Sequence, residues 1–230
     1  MNQKNNEFFA CTPDNNIYET NLNRIHKYIL NSKNNLYENI EDIEKYILNN
    51  PECLSEITCP SGWTPLMLAV MNVGIKASDD IIDFLLCYMP DINAIDNNGY
   101  TSLLLACKYI NYIGINPIIR LIDSGASLYY KHKLYNNAFI TICIHYNNQF
   151  INKENNKCNK TDLLIILKKI LTHGIYIDDR DKFGKTALYY YCLKEKIYNP
   201  YLNHTDDIIK LFRLWGSNLT IKLIQNKTYY

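Results

Sequence analysis

Glycine is scarce in this 230-residue chain, with eight residues, and proline is scarcer still, with seven. The eight glycines are spread about one per turn, which excludes a phosphate-cradling Gly-rich loop. An excess of charge of one sign is also missing. The 24 Lys and Arg against 23 Asp and Glu leave a net charge of +1, so no strong field draws the chain to nucleic acid or an anionic membrane. No apolar run reaches the roughly 18 residues of a membrane span, and the polar stretch 1–9 lacks the character of a signal peptide. The eight Cys contain no Cys-x-x-Cys pair, and a disulfide or zinc framework is not expected. No Gly-x-Ser-x-Gly, His-Glu-x-x-His or kinase-like set is found, and the five His are isolated. The expectation is a chain with no catalytic residue, no cofactor and no metal site, hence not an enzyme, located inside the cell.

What is present is repetition. The stretch Asp96-Asn97-Asn98-Gly99-Tyr100-Thr101-Ser102-Leu103-Leu104-Leu105-Ala106-Cys107 has relatives upstream, at Ser61-Gly62-Trp63-Thr64-Pro65-Leu66, and downstream, at Asp181-Lys182-Phe183-Gly184-Lys185-Thr186-Ala187-Leu188. Each part has a physical role. Gly takes a tight turn that a Cβ resists. Thr caps the following helix with its hydroxyl. Pro65 sits at a first helical position, where a missing N–H costs nothing. The Leu and Ala that follow share a helical face.

A second unit follows the first: Ile81-Ile82-Asp83-Phe84-Leu85-Leu86, Ile118-Ile119-Arg120-Leu121-Ile122, Ile166-Leu167-Lys168-Lys169-Ile170-Leu171 and Ile208-Ile209-Lys210-Leu211-Phe212. Three of these run into Gly125, Gly174 and Gly216, which suits a left-handed helix C-cap. Setting Cys143 against Cys107 reveals a weaker copy, in which Tyr135 stands where Gly99 was and Asn137 where Thr101 was. Cys107, Cys143 and Cys192 then share one repeat position and read as small core residues.

This order of parts resembles the ankyrin repeat. The family's Thr-Pro-Leu-His stands here as Thr64-Pro65-Leu66-Met67, Thr101-Ser102-Leu103-Leu104 and Thr186-Ala187-Leu188-Tyr189, with the His absent each time. The resemblance covers roughly residues 40 to 219. It implies an all-α ankyrin-repeat solenoid of helix-turn-helix units with short hairpin loops. Asn and Tyr (20 of the latter) are over-used, as are Ile and Lys. That bias, with such diverged repeats, resembles the ankyrin proteins of giant DNA viruses, although AT-rich protists would read alike.

The expected layout is a weakly ordered segment at 1–20, an N-terminal helical capping repeat at 21–58, about four repeats over 59–219, and a tail at 220–230. Leu22, Ile25 and Ile29, then Ile40, Ile43, Tyr46 and Ile47, give the capping helices their apolar faces. Gly62, Gly99, Tyr135 and Gly184 are spaced by 37, 36 and 49 residues, against about 33 in the family. The excess is placed between the two helices of each repeat, chiefly at 145–161 and 194–205, as solvent loops or a second contact edge.

The resemblance further implies non-catalytic binding of a protein partner by a concave face. The chain is then a monomeric adaptor or scaffold for a host or viral protein in the host cytoplasm, with no nucleic acid and no membrane. The alternative is a structural subunit of a viral particle or larger assembly. Mapped onto this chain, the turn positions are Ser61 and Trp63, then Asn97, Asn98 and Tyr100, then Lys182, Phe183 and Lys185. The outward helix positions are Met71 and Asn72, then Lys108 and Tyr109, then Leu193 and Lys194. Trp63, Tyr100 and Phe183 have the character of binding anchors; alternatively, Trp63 and Tyr100 pack on neighbouring hairpins. The acidic run Asp178-Asp179-Arg180-Asp181 reads as turn and hairpin, and His173 as offering its ring to a helix C-terminus.

Overall fold

Short helices, several of them started by a side-chain cap, make up the chain. The computed structural model describes residues 24–35, 40–57, 62–73, 80–134, 136–146, 157–197, 200, 203 and 205–219. The expectations for 1–20, Leu22, Ser61, Tyr135, the tail 220–230 and most of the loop at 145–161 lie outside these residues. Among them the fold is all-α and repetitive, with no β-strand. The helices are α1 (Arg24–Asn35), α2 (Ile40–Asn49), α3 (Pro65–Asn72), α4 (Ile81–Leu86), α5 (Ser102–Lys108), α6 (Ile110–Ile113), α7 (Asn116–Asp123), α8 (Ala138–His145), α9 (Lys160–Thr172), α10 (Ala187–Lys194) and α11 (Asp207–Leu214).

Four helices start in the same way. The Met67 N–H donates to Thr64 Oγ1 (3.4 Å), Leu104 to Thr101 (3.2 Å), Ile140 to Asn137 Oδ1 (2.9 Å) and Tyr189 to Thr186 (3.2 Å). All four capping residues have extended backbone. Each satisfies one of the amides that a helix start leaves without an intrahelical partner. Asn137 therefore takes over from the Thr it replaces, and 136–146 carries the same cap-and-helix geometry as its neighbours.

The chain divides into two compact units, Met1–Tyr109 with Asn116–Ser127, and Ile110–Ile115 with Leu128–Tyr230. In the first, α3 packs against α1, α4 and α5, and α7 packs against α4 and α5. Ile25, Ile29, Ile43 and Ile47 are buried on α1 and α2, as their 3–4 spacing requires. In the second unit α8 packs on α10 and α6, and α9 on α11. The rings of Phe139 and Phe212 lie 5.7 Å apart. Cys107, Cys143 and Cys192 are all buried, each in its own unit's core. Burial pushes their thiols up, Cys192 to about 12, so none is a thiolate near neutral pH.

The helices that precede the hairpin loops end in left-handed turns at Gly125, Gly174 and Gly216. In the first repeat a non-glycine stands in for them, since Met89 has φ 49. Its N–H donates to Leu86 O, as that of Gly125 does to Ile122 O. Met89 is 90% exposed, so its side chain offers little packing to offset the strain. Met89→Gly is expected to stabilise the chain by about 0.5–1 kcal/mol, read as a rise in the urea midpoint.

His26 on α1 is fully buried, and desolvation lowers its pKa to about 4. The unfolded chain then binds a proton between about pH 6.5 and 4 that the folded chain does not. The stability is complete above 6.5 and falls as the pH drops towards 4, by at most about 1.4 kcal/mol per pH unit. Urea titrations between pH 7 and 4.5 are expected to show a flatter slope for His26→Asn than for the wild type.

Candidate functional site

An Asp opens each of two hairpins and holds it closed. In the first unit Asp96 Oδ1 accepts from the N–H groups of Asn98 (2.9 Å) and Tyr100 (2.7 Å). The Asp96 N–H donates to Tyr100 O (2.9 Å) and that of Gly99 to Asp96 O (2.9 Å). In the second unit Asp181 Oδ1 accepts from Phe183 and Lys185 (2.8 Å each), with the same two backbone bonds at 3.0 Å. The weaker copy keeps one of them, as the His132 N–H donates to Asn136 O at 3.1 Å. Asp96 and Asp181 are 5% and 7% exposed, so these charge-assisted bonds are shielded from water. The two residues that follow each Asp, Asn97 and Asn98 or Lys182 and Phe183, are thereby turned outward.

The turns also press on one another within a unit. A Cβ on Gly62 (φ +76) would lie 2.6 Å from Asn97 Oδ1. Asn97 is therefore exposed yet seated against the preceding turn, at a point that only a residue without a Cβ leaves open.

Of the residues expected at the surface, Asn97, Asn98, Lys182 and Phe183 are exposed, and Tyr100, Lys108, Tyr109 and Lys185 are half-buried. Lys108 Nζ lies 4.8 Å from the Tyr100 ring centroid and 5.2 Å from that of Tyr109. These three residues form one cluster in the first unit. In the second, Lys182 Nζ is 4.9 Å from the Phe183 centroid and Lys185 Nζ is 4.3 Å from that of Tyr189. Phe183 is 64% exposed and Leu193 49%.

Three of the expected surface residues are not at the surface. Trp63 and Met71 are buried, at 5% and 2% exposure, and Asn72 at 3%, so none of them presents a side chain to a partner. The reason is that α3 is enclosed by α1, α4 and α5, and all eight of its residues are buried. The signal was present in Pro-Leu-Met-Leu-Ala-Val-Met-Asn, which is apolar on every side. Asn72 Nδ2 turns back to Leu68 O at 2.8 Å. Lys194, also expected to face outward, reaches Tyr146 O at 2.7 Å in the second unit. Tyr189 was missed, although the run Tyr189-Tyr190-Tyr191 places its ring on the half-exposed face of α10.

The acidic run serves the hairpin. Asp178 accepts from Ser217 Oγ (2.6 Å) and Asn218 N–H (2.8 Å), and Asp179 from Lys131 Nζ (2.7 Å) and Asn137 Nδ2 (2.8 Å). The Tyr190 hydroxyl donates to Asp181 Oδ2. Burial, then that bond, pushes the Tyr190 phenol up. Among the described residues no group of His, Cys, Asp and Glu could hold a metal ion. The His173 ring nitrogen lies 2.8 Å from Lys169 O, at the end of α9, as expected from its place in the sequence.

A family model described as ankyrin repeats (3 copies) matches residues 31–132. No curated protein matches the chain. Ankyrin repeats are a non-catalytic module that generally mediates protein–protein interaction. The hairpin at 181–185 and the caps at Asn137 and Thr186 lie beyond the match and share its local geometry. Among the described residues no helix is long and apolar enough to cross a membrane.

Asp181→Ala removes the acceptor of two backbone amides and one phenol, and is expected to cost about 2–3 kcal/mol. Asp96→Ala is expected to cost less. Leu105 stands where Tyr190 stands in the other repeat, and Asp96 Oδ2 has no hydrogen-bond donor among the described residues. Urea midpoints of the two variants check the order.

Proposed function

We propose that this chain is a non-catalytic scaffold or adaptor that binds a host or viral protein through its hairpin tips and the outward face of the capped helices. The observation that carries the reading is the division of labour within each hairpin. The Asp carboxylate is turned inward on backbone amides, while cation–aromatic pairs are turned outward. Tyr100, Lys108 and Tyr109 do this in the first unit, and Lys182, Phe183, Lys185 and Tyr189 in the second. Aromatic side chains held on a closed turn lose little freedom on binding, so modest contacts give useful affinity. The match to ankyrin repeats supports a protein partner.

A second reading is a structural subunit of a viral particle or larger assembly. Leu214 (82% exposed) and Trp215 (41%) at the end of α11 favour it, because an assembly would cover them. Light scattering separates the two readings: a monomer supports the adaptor, and a defined oligomer supports the subunit. Affinity capture from cell lysate then tests the surface, with Tyr100→Ala/Lys108→Ala for the first unit and Lys182→Ala/Phe183→Ala for the second. At least one double variant, folded as judged by circular dichroism, is expected to recover about tenfold less partner than the wild type. Equal recovery by both would sink this surface.

A further inference from the structure

We infer that the hairpin edge of the second unit takes an acidic peptide segment of its partner, with Phe183 as the apolar contact. This rests on the reading that hairpins face the partner, and it adds the chemistry of what they meet. Two hairpins meet in this unit: the Lys182 N–H donates to Leu134 O at 3.1 Å. By repeat register Lys133 and Lys182 are equivalent positions, so that bond sets two like-placed lysines on neighbouring turns. Both are exposed, as is Arg180, and Lys185 is half-buried.

The carboxylates of the same edge offset this charge only in part, since one is ion-paired and the other two have their oxygens turned to neutral donors. Asp178 is engaged by Ser217 and Asn218, Asp179 by Lys131 and Asn137, and Asp181 by its own turn. Lys131 is thereby matched with Asp179, which leaves Lys133, Arg180, Lys182 and Lys185 as the outward charge. Phe183 stands among them, 64% exposed. The hairpin of the first unit differs: its tip carries Asn97 and Asn98 and no cation. A chain with a net charge of only +1 has thus placed four cations against the two carboxylates Asp178 and Asp181 on the edge that carries one exposed ring. Such a patch attracts a short run of Asp and Glu and gives an adjoining apolar side chain somewhere to rest. It is confined to two turns, too short to follow a nucleic-acid backbone.

The test uses the full chain and a random twelve-residue peptide display library. The charge-reversed variant is Lys133→Glu/Lys182→Glu. Both positions are exposed, and Arg180 is left intact because its guanidinium donates to Gly184 O and holds the turn. The expected result is enrichment of peptides with several Asp or Glu beside an aliphatic or aromatic residue. Their affinity should fall at least about tenfold in the variant, and about tenfold between 50 and 500 mM salt. Phe183→Ala should weaken them without changing the salt dependence.

Neutral or basic peptides that bind through the hairpins would overturn the inference and leave the broader reading intact. Acidic peptides indifferent to the charge reversal would also overturn it. A single-stranded oligonucleotide that binds more tightly than the selected peptides, with the same loss in the variant, would replace it with a nucleic-acid site. Failure to enrich any peptide that responds to a hairpin substitution in either unit would overturn both the inference and the broader reading.

Discussion

A buried carboxylate that accepts two amides of its own turn is the contact on which this surface depends. Asp96 and Asp181 each close a hairpin in this way. An ionised oxygen shielded from water makes such bonds stronger than those between neutral groups. The closed turn fixes where the chain enters the next helix, and the Thr two residues after the Gly is then in place to cap it. Turn and cap act together, so each short helix begins at a defined residue although few of them exceed three turns. Helices this short are marginal alone, and packing between repeats supplies what propensity does not.

The same constraint shapes the surface. Since the Asp side chain points inward, the two residues that follow it are left facing outward. Those residues differ between the two hairpins. Asn97 and Asn98 make an uncharged tip with Tyr100 and Lys108 behind it, whereas Lys182, Phe183 and Lys185 make a cationic tip around a ring. A fixed frame with variable tips is what a recognition module needs: frame residues answer to stability, and tip residues answer to the partner. The acidic run at 178–181 belongs to the frame, since its three carboxylates are consumed by hydrogen bonds within the unit.

Much of this was legible beforehand. The Gly-x-Thr-x-Leu recurrence located three of the four caps, and aligning Cys143 with Cys107 located the fourth at Asn137. Burial of Cys107, Cys143 and Cys192 followed from their shared register. Of the two alternatives for Trp63 the structure selects burial, and Met71 and Asn72 were misplaced because helix positions were assigned outward by analogy with their repeat equivalents. Their own neighbourhood, α3, is apolar all round and enclosed by three helices. Lys194 is half-buried, and its long stem reaches a carbonyl, Tyr146 O, that is distant in the chain.

The sequence by itself determined where helices begin, which faces are apolar and that the units repeat, because turns, caps and periodicity are local and act over a few residues. Only the tertiary structure decided which of the nominally outward residues reach the surface. It also decided which charges on the hairpin edge are already matched. Both depend on what packs alongside. Lys131 and Asp179 lie far apart in the chain yet pair in space, while Lys133 and Lys182 are set on neighbouring turns by one backbone hydrogen bond between hairpins.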